Sequence, residues 1–69
     1  MAAEPLMSVE EVAAFYNVAP DTVRYWRLRA IGPRGVRIGR VVRYRRADVE
    51  RWFDEQAKEQ EQQRQRAAP

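Results

Sequence analysis

Apolar residues recur along the chain in three helix-like stripes, with one alternating stretch between the second and third. Val9, Val12, Ala13 and Tyr16 fall at i, i+3, i+4 and i+7, the spacing of one helix face, with Phe15 on its flank. Immediately before them, Ser8-Val9-Glu10-Glu11 has the form of a capping box, in which the serine hydroxyl accepts from the Glu11 amide and the Glu11 carboxylate reaches back. A first helix of about two turns is predicted to start there. Asn17 follows, and asparagine takes the left-handed conformation that closes helices more readily than other non-glycine residues. Val18 is then expected to be a buried turn residue. Pro20 suits the first position of a new helix, where its missing N–H is not needed, and Asp21 suits the positive helix end. The second helix is predicted over Pro20 to Ala30, with Val23, Trp26 and Ala30 turned inward. Asp21, Arg24 and Arg27 occupy the neighbouring stripe, and Tyr25 falls at the edge of the core with its hydroxyl free.

Ile31-Gly32-Pro33-Arg34-Gly35 cannot continue a helix. After it, Val36, Ile38, Val42 and Tyr44 alternate with Arg37 and Arg43 around Gly39-Arg40, and glycine first in a two-residue loop suits a type II′ hairpin. A short β-ribbon with one apolar face and one basic face is expected, Arg40 at its tip. A third helix opens at Ala47-Asp48 and buries Val49, Trp52 and Phe53, although Arg46 is a poor cap. Beyond Phe53 only Ala57 is apolar until Ala67, so the Gln-rich remainder is predicted to be solvated and to form no coiled coil.

The 69 residues permit one small domain, divided here into a leader over 1–7, a folded domain over 8–55 and a polar tail over 56–69. With neither cysteine nor histidine there is no disulfide framework and no usual zinc site, so no metal or cofactor is expected. No apolar run is long enough for a membrane span, and "MAAEPLMSVEE" has no basic-then-apolar signal pattern; a cytoplasmic, unprocessed protein with no membrane partner is the expectation. Charge is segregated more sharply than the net +3 conveys. From Thr22 to Ala47 there are nine arginines and no acid, while the rest of the chain carries four basic and ten acidic residues. Arginine outnumbers lysine twelve to one, which genomic base composition can explain; the missing acids in the middle it cannot. One strongly basic face favours a polyanionic partner.

Two short helices around a tight turn, a basic hairpin and a returning helix describe a mainly α winged helix-turn-helix. The second helix of such a module enters the DNA major groove, which casts Asp21, Arg24 and Arg27 as base-edge contacts. An arginine grips guanine O6 and N7 with paired bonds, worth ~1–3 kcal/mol of discrimination. Thr22 and Tyr25 offer hydroxyls to phosphate, Arg37 and Arg43 lie along the backbone, and Arg40 on its narrow hairpin suits a minor groove.

"SVEEVAAFYNVAPDTVRYWRLRAIGP" followed by "VRIGRVVRYRRADVERWF" resembles the excisionases, the small winged-helix recombination directionality factors of phages and integrative elements. The resemblance spans about residues 6 to 55 and is sharpest at Thr22-Val23-Arg24-Tyr25-Trp26, the Gly39-Arg40 wing and the Asp48-Val49 helix start; MerR-like regulators share much of it. It implies a non-enzymatic DNA architect working in the cytoplasm of a bacterial host. Such a protein binds adjacent sites beside an attachment site, contacts further copies of itself along the DNA, bends it, and directs a cognate integrase toward excision. Matching contact positions are Asp21, Arg24 and Arg27 in the groove and Arg40 in the wing. Ala19-Pro20 departs from the usual Ser, Thr or Asp cap, and the tail is longer than the minimal module needs.

The alternative is a small MerR-like transcriptional regulator, a class that normally adds a long dimerisation helix and a ligand domain to this module. Catalysis is not expected. The tyrosine-arginine adjacencies in "VRYWR" and "VRYRR" mimic a recombinase nucleophile set but fall on a groove-facing helix and a hairpin, and a chain this short offers no enclosed pocket.

Overall fold

The chain enters its first helix through the capping box that its sequence spells. The Ser8 amide donates to Glu11 Oε1 at 2.8 Å and the Glu11 amide donates to Ser8 Oγ at 3.1 Å. The computed structural model describes residues 5–67, so residues 1–4 of the expected leader and 68–69 of the expected tail lie outside the described residues. In order along the chain come α1 (Val9–Tyr16), α2 (Pro20–Leu28), β1 (Gly35–Ile38), β2 (Val41–Tyr44) and α3 (Arg46–Ala67). Mainly helical with a single antiparallel hairpin among the described residues, this is a winged helix-turn-helix.

α1 ends at the left-handed Asn17 (φ 60°, ψ 46°), where the amides of Asn17 and Val18 reach back to the carbonyls of Ala14 and Ala13. This paired closure satisfies the last carbonyls and reverses the chain within Asn17-Val18-Ala19. Val18 packs on the core but is only half-buried. Pro20 opens α2 without a side-chain cap, leaving Asp21 as the acidic group in its first turn. α2 stops two residues short of its predicted end. The amides of Ala30 and Ile31 close onto the carbonyls of Arg27 and Trp26, and Ala30 is left-handed (φ 57°) and exposed rather than part of the core. The closure turns Gly32 beneath Trp26, where an added Cβ would lie 3.0 Å from that residue's own Cβ.

Val12, Ala13, Val23, Tyr44 and Val49 are buried together with Met7. Tyr16 binds the helices to one another. Its hydroxyl donates to the Val49 carbonyl, and its ring meets Trp26 and Trp52 edge-on with centroids 5.9 and 5.5 Å away. The two indoles, half-buried at 4.9 Å from each other, rim the core instead of filling it. Phe53 departs from expectation. It stacks over Tyr16 at 6.5 Å yet remains 57% exposed, because α1 is only eight residues long and ends before it can cover a second turn of α3.

The hairpin corrects the expected distribution of faces. Gly39 has positive φ (62°) and Arg40 does not, as a type II′ turn requires, and the register pairs Ile38 with Val41 and Gly35 with Tyr44. Residues opposite each other share a face, so Val36, Ile38, Val41 and Arg43 lie together, and Gly35, Arg37, Val42 and Tyr44 lie on the other side. A two-residue turn inverts the alternation from one strand to the next, which is why Val36 and Val42 cannot share a face. The outward face is apolar and exposed at Val36, Ile38 and Val41, while Tyr44 is buried. On its other edge Tyr44 exchanges backbone hydrogen bonds of 2.8 and 2.9 Å with Met7, making the last residue of the expected leader a third partner in the wing.

Two backbone sites are expected to respond oppositely in urea denaturation. A Cβ at Gly35 would sit 2.8 Å from the Tyr44 ring, so Gly35→Ala loses ~1–3 kcal/mol through overpacking. Ala30→Gly gains ~0.5–1 kcal/mol by relieving the left-handed alanine, net of glycine's extra chain entropy.

Burial pushes the Tyr16 phenol up to about 12, with Tyr44 acting in the same direction, and burial also raises Tyr44 against the opposing pull of Arg27. The folded state therefore keeps protons that the unfolded chain releases from pH ~10. Stability is fully present below that pH and is lost as pH rises toward about 12. Urea midpoints measured across this window should fall, and Tyr16→Phe should flatten the decline; an unchanged slope would contradict the assignment.

Candidate nucleic-acid interface

Helical phase sorts the side chains of α2. Val23 is buried and Trp26 half-buried on the inward side. On the opposite side Asp21, Arg24 and Leu28 form a stripe at i, i+3 and i+7, with Tyr25 beside it. Arg27 is rotated to the flank nearest the hairpin, where its Nη1 points to the Gly35 carbonyl at 3.5 Å. It therefore stands beside the Asp21–Arg24 stripe and not on it.

Between α2 and the hairpin runs an open groove of about 700 Å³. Arg24, Arg27, Arg40 and Arg43 all border it, with Glu10 of α1 and Leu28 of α2. The hairpin turn carries Arg40 to one rim, and Arg43 borders the same groove, where its Nη1 donates to the Val42 carbonyl at 2.9 Å. Arg37 is not part of this group: it stands on β1 and donates back to the Gly39 carbonyl at 3.1 Å. Thr22 is half-buried in the first turn of α2, and its amide bonds to the Ala19 carbonyl at 2.9 Å.

Two features were not anticipated from the sequence. Arg24 is held by two carboxylates, Glu10 Oε2 at 2.7 Å and Asp21 Oδ1 at 3.1 Å. The Asp21 pair was legible as an i,i+3 spacing, whereas Glu10 arrives from another helix and leaves no local signal. Tyr25, exposed at 53%, does not have the free hydroxyl expected of it. It accepts a hydrogen bond of 2.8 Å from Arg29, whose guanidinium lies 5.7 Å from the ring centre. Their i,i+4 spacing on one helix was the available clue. The hydroxyl and the guanidinium form one polar unit beside the stripe, suited to a phosphate oxygen.

A family model for the helix-turn-helix domain matches residues 6–57, which include both helices of the turn, the hairpin and the first half of α3. The chain belongs to that family. No curated protein and no solved structure gives a match. Helix-turn-helix membership brings sequence-specific binding to double-stranded DNA, in a family that is typically non-enzymatic. Among the described residues, no helix is long and apolar enough to cross a membrane.

A DNA group that takes up Arg24 would have to displace Glu10, so Glu10→Gln is expected to tighten DNA binding by roughly two- to fivefold, the scale of one exposed ion pair. Fluorescence anisotropy of labelled duplex measures it. The gain should vanish in an Arg24→Ala background; a gain that persists there would show that Glu10 acts through general repulsion instead.

Proposed function

We propose that this helix-turn-helix protein is a recombination directionality factor. Copies of it occupy adjacent sites beside an attachment site in a bacterial host's cytoplasm, bend the DNA, and direct an integrase toward excision. Asp21, Arg24 and Arg27 approach the major groove, Arg40 the minor groove beside it, and Thr22, Tyr25, Arg37 and Arg43 the phosphates. The folded domain over 8–55 carries these contacts, with the tail over 56–69 outside them.

The observation that carries this reading is the convergence of Arg24, Arg27, Arg40 and Arg43 on one groove, with a helix on one side and a hairpin tip on the other. A helix in the major groove and an arginine-tipped hairpin beside it grip a single duplex from two directions, which fixes register and favours deformation of the intervening step. α3 supports an architectural role over a regulatory one. Past Phe53 its described side chains are polar apart from Ala57 and are exposed except at Gln56, which gives no seam for the dimerisation helix of a MerR-like regulator. Self-association is then a property of neighbours on DNA.

Affinity should fall steeply with salt, with a slope of log K against log[salt] near −4 to −5 if ~5 phosphates are neutralised. A constant unchanged between low and physiological salt would overturn the polyanion contact. The recombination role is tested with an integrase encoded beside the gene and its attachment-site DNA. Addition of the protein should promote the excisive product, and footprints should extend over adjacent sites as concentration rises. No effect on excision, together with sedimentation as a tight dimer without DNA, would favour the regulator instead.

A further inference from the structure

We infer that Leu28 is a base-reading residue whose side chain meets the C5-methyl of a thymine in the major groove. The inference rests on the DNA-binding reading above and deepens it by assigning one apolar contact on the recognition helix. Leu28 is 86% exposed, the most exposed of the large apolar side chains among the described residues. It lies directly opposite the core residues of α2, on the stripe begun by Asp21 and Arg24, and it borders the groove shared with Arg24, Arg27 and Arg40. Packing within the domain gives no account of a leucine there, because Val23 and Trp26 already supply the inward face.

Geometry makes the contact feasible. α2 is nine residues long, so Leu28 stands ~6 Å along the axis from Arg24 and ~10 Å from Asp21, inside the ~12 Å width of a major groove. Among the groups that base pairs present in that groove, the thymine methyl is the apolar one. Arg24 offers paired hydrogen bonds and Leu28 offers apolar surface one turn further along the same face. Two chemically different base edges are thereby distinguished from neighbouring positions on one stripe. Since Leu28 touches little of its own domain, its removal leaves the fold intact and the effect on DNA can be measured by itself.

Duplexes selected from a random pool by the full chain provide the site. Each thymine is then replaced in turn by deoxyuridine, which removes the methyl and leaves the hydrogen-bonding edge unchanged. Wild type should lose about three- to fivefold in affinity at one or two positions, the equivalent of one buried methyl. Leu28→Ala should show that loss already on thymine DNA and be indifferent to uracil at the same positions. The contact is overturned if wild type is indifferent to every replacement, if Leu28→Ala keeps the full uracil penalty, or if the selected sites hold no thymine. Failure to enrich any duplex would instead overturn DNA binding itself, and the thymine contact with it.

Discussion

The Tyr16 side chain is where the three helices meet, and the orientation of α2 depends on it. Its hydroxyl anchors to the Val49 carbonyl of α3, and its ring lies against Trp26 of α2 and Trp52 of α3. A half-buried phenol that must place both its ring and its O–H fixes position and rotation together. The next residue in the chain is Asn17, whose left-handed backbone closes α1 and starts the turn into α2. Adjacent residues thus hold one end of the helix-turn-helix and set the angle at which the next helix leaves. With Trp26 seated against Tyr16, the Asp21–Arg24–Leu28 stripe has no choice but to face outward.

The wing is fixed by a different device. A two-stranded hairpin alone is marginal in water, and this one is secured at the end opposite its tip. Tyr44 is buried, its ring occupies the space left by the missing side chain of Gly35, and its backbone pairs with Met7. Those contacts lie at the base, leaving Gly39 and Arg40 projecting, with no atom beyond its chain neighbours within 4 Å of where a Gly39 Cβ would stand. The hairpin is anchored through its base, and the tip projects free of those contacts.

Features written in local chemistry were legible in the sequence. The Ser8 capping box, the Asn17 reversal, Pro20 at a helix start and the Gly39-Arg40 turn each require only a few neighbouring residues, and each produces its element. Contacts between distant parts of the chain were less visible. Nothing in residues 5–8 signals that Met7 will pair with Tyr44, and the exposure of Phe53 follows from where α1 stops, a property of another helix. The hairpin faces are an intermediate case, since Gly39-Arg40 spells the turn length, while the face each strand residue takes follows only from the parity that this length imposes across the pair. In the groove, the convergence of arginines was visible as a basic segment, but the carboxylate of Glu10 entered from outside that segment.

That carboxylate divides the basic groove into two kinds of arginine. Arg27 and Arg43 hydrogen-bond to backbone carbonyls, and among the described residues neither they nor Arg40 has a carboxylate within 4.0 Å. Their charge is uncompensated at short range, which suits an anionic partner. Arg24 differs because it already satisfies its guanidinium with Glu10 and Asp21. To engage a base, as proposed, it would have to exchange those partners, an exchange favoured where the base offers bonds of comparable quality, as guanine does with O6 and N7. In the proposed contact, a base that offered less would leave the arginine with its carboxylates. Under the proposed contact the acidic pair would raise the cost of every encounter that Arg24 makes, and discrimination between two sites would be set by the difference in what each returns and not by the strength of either.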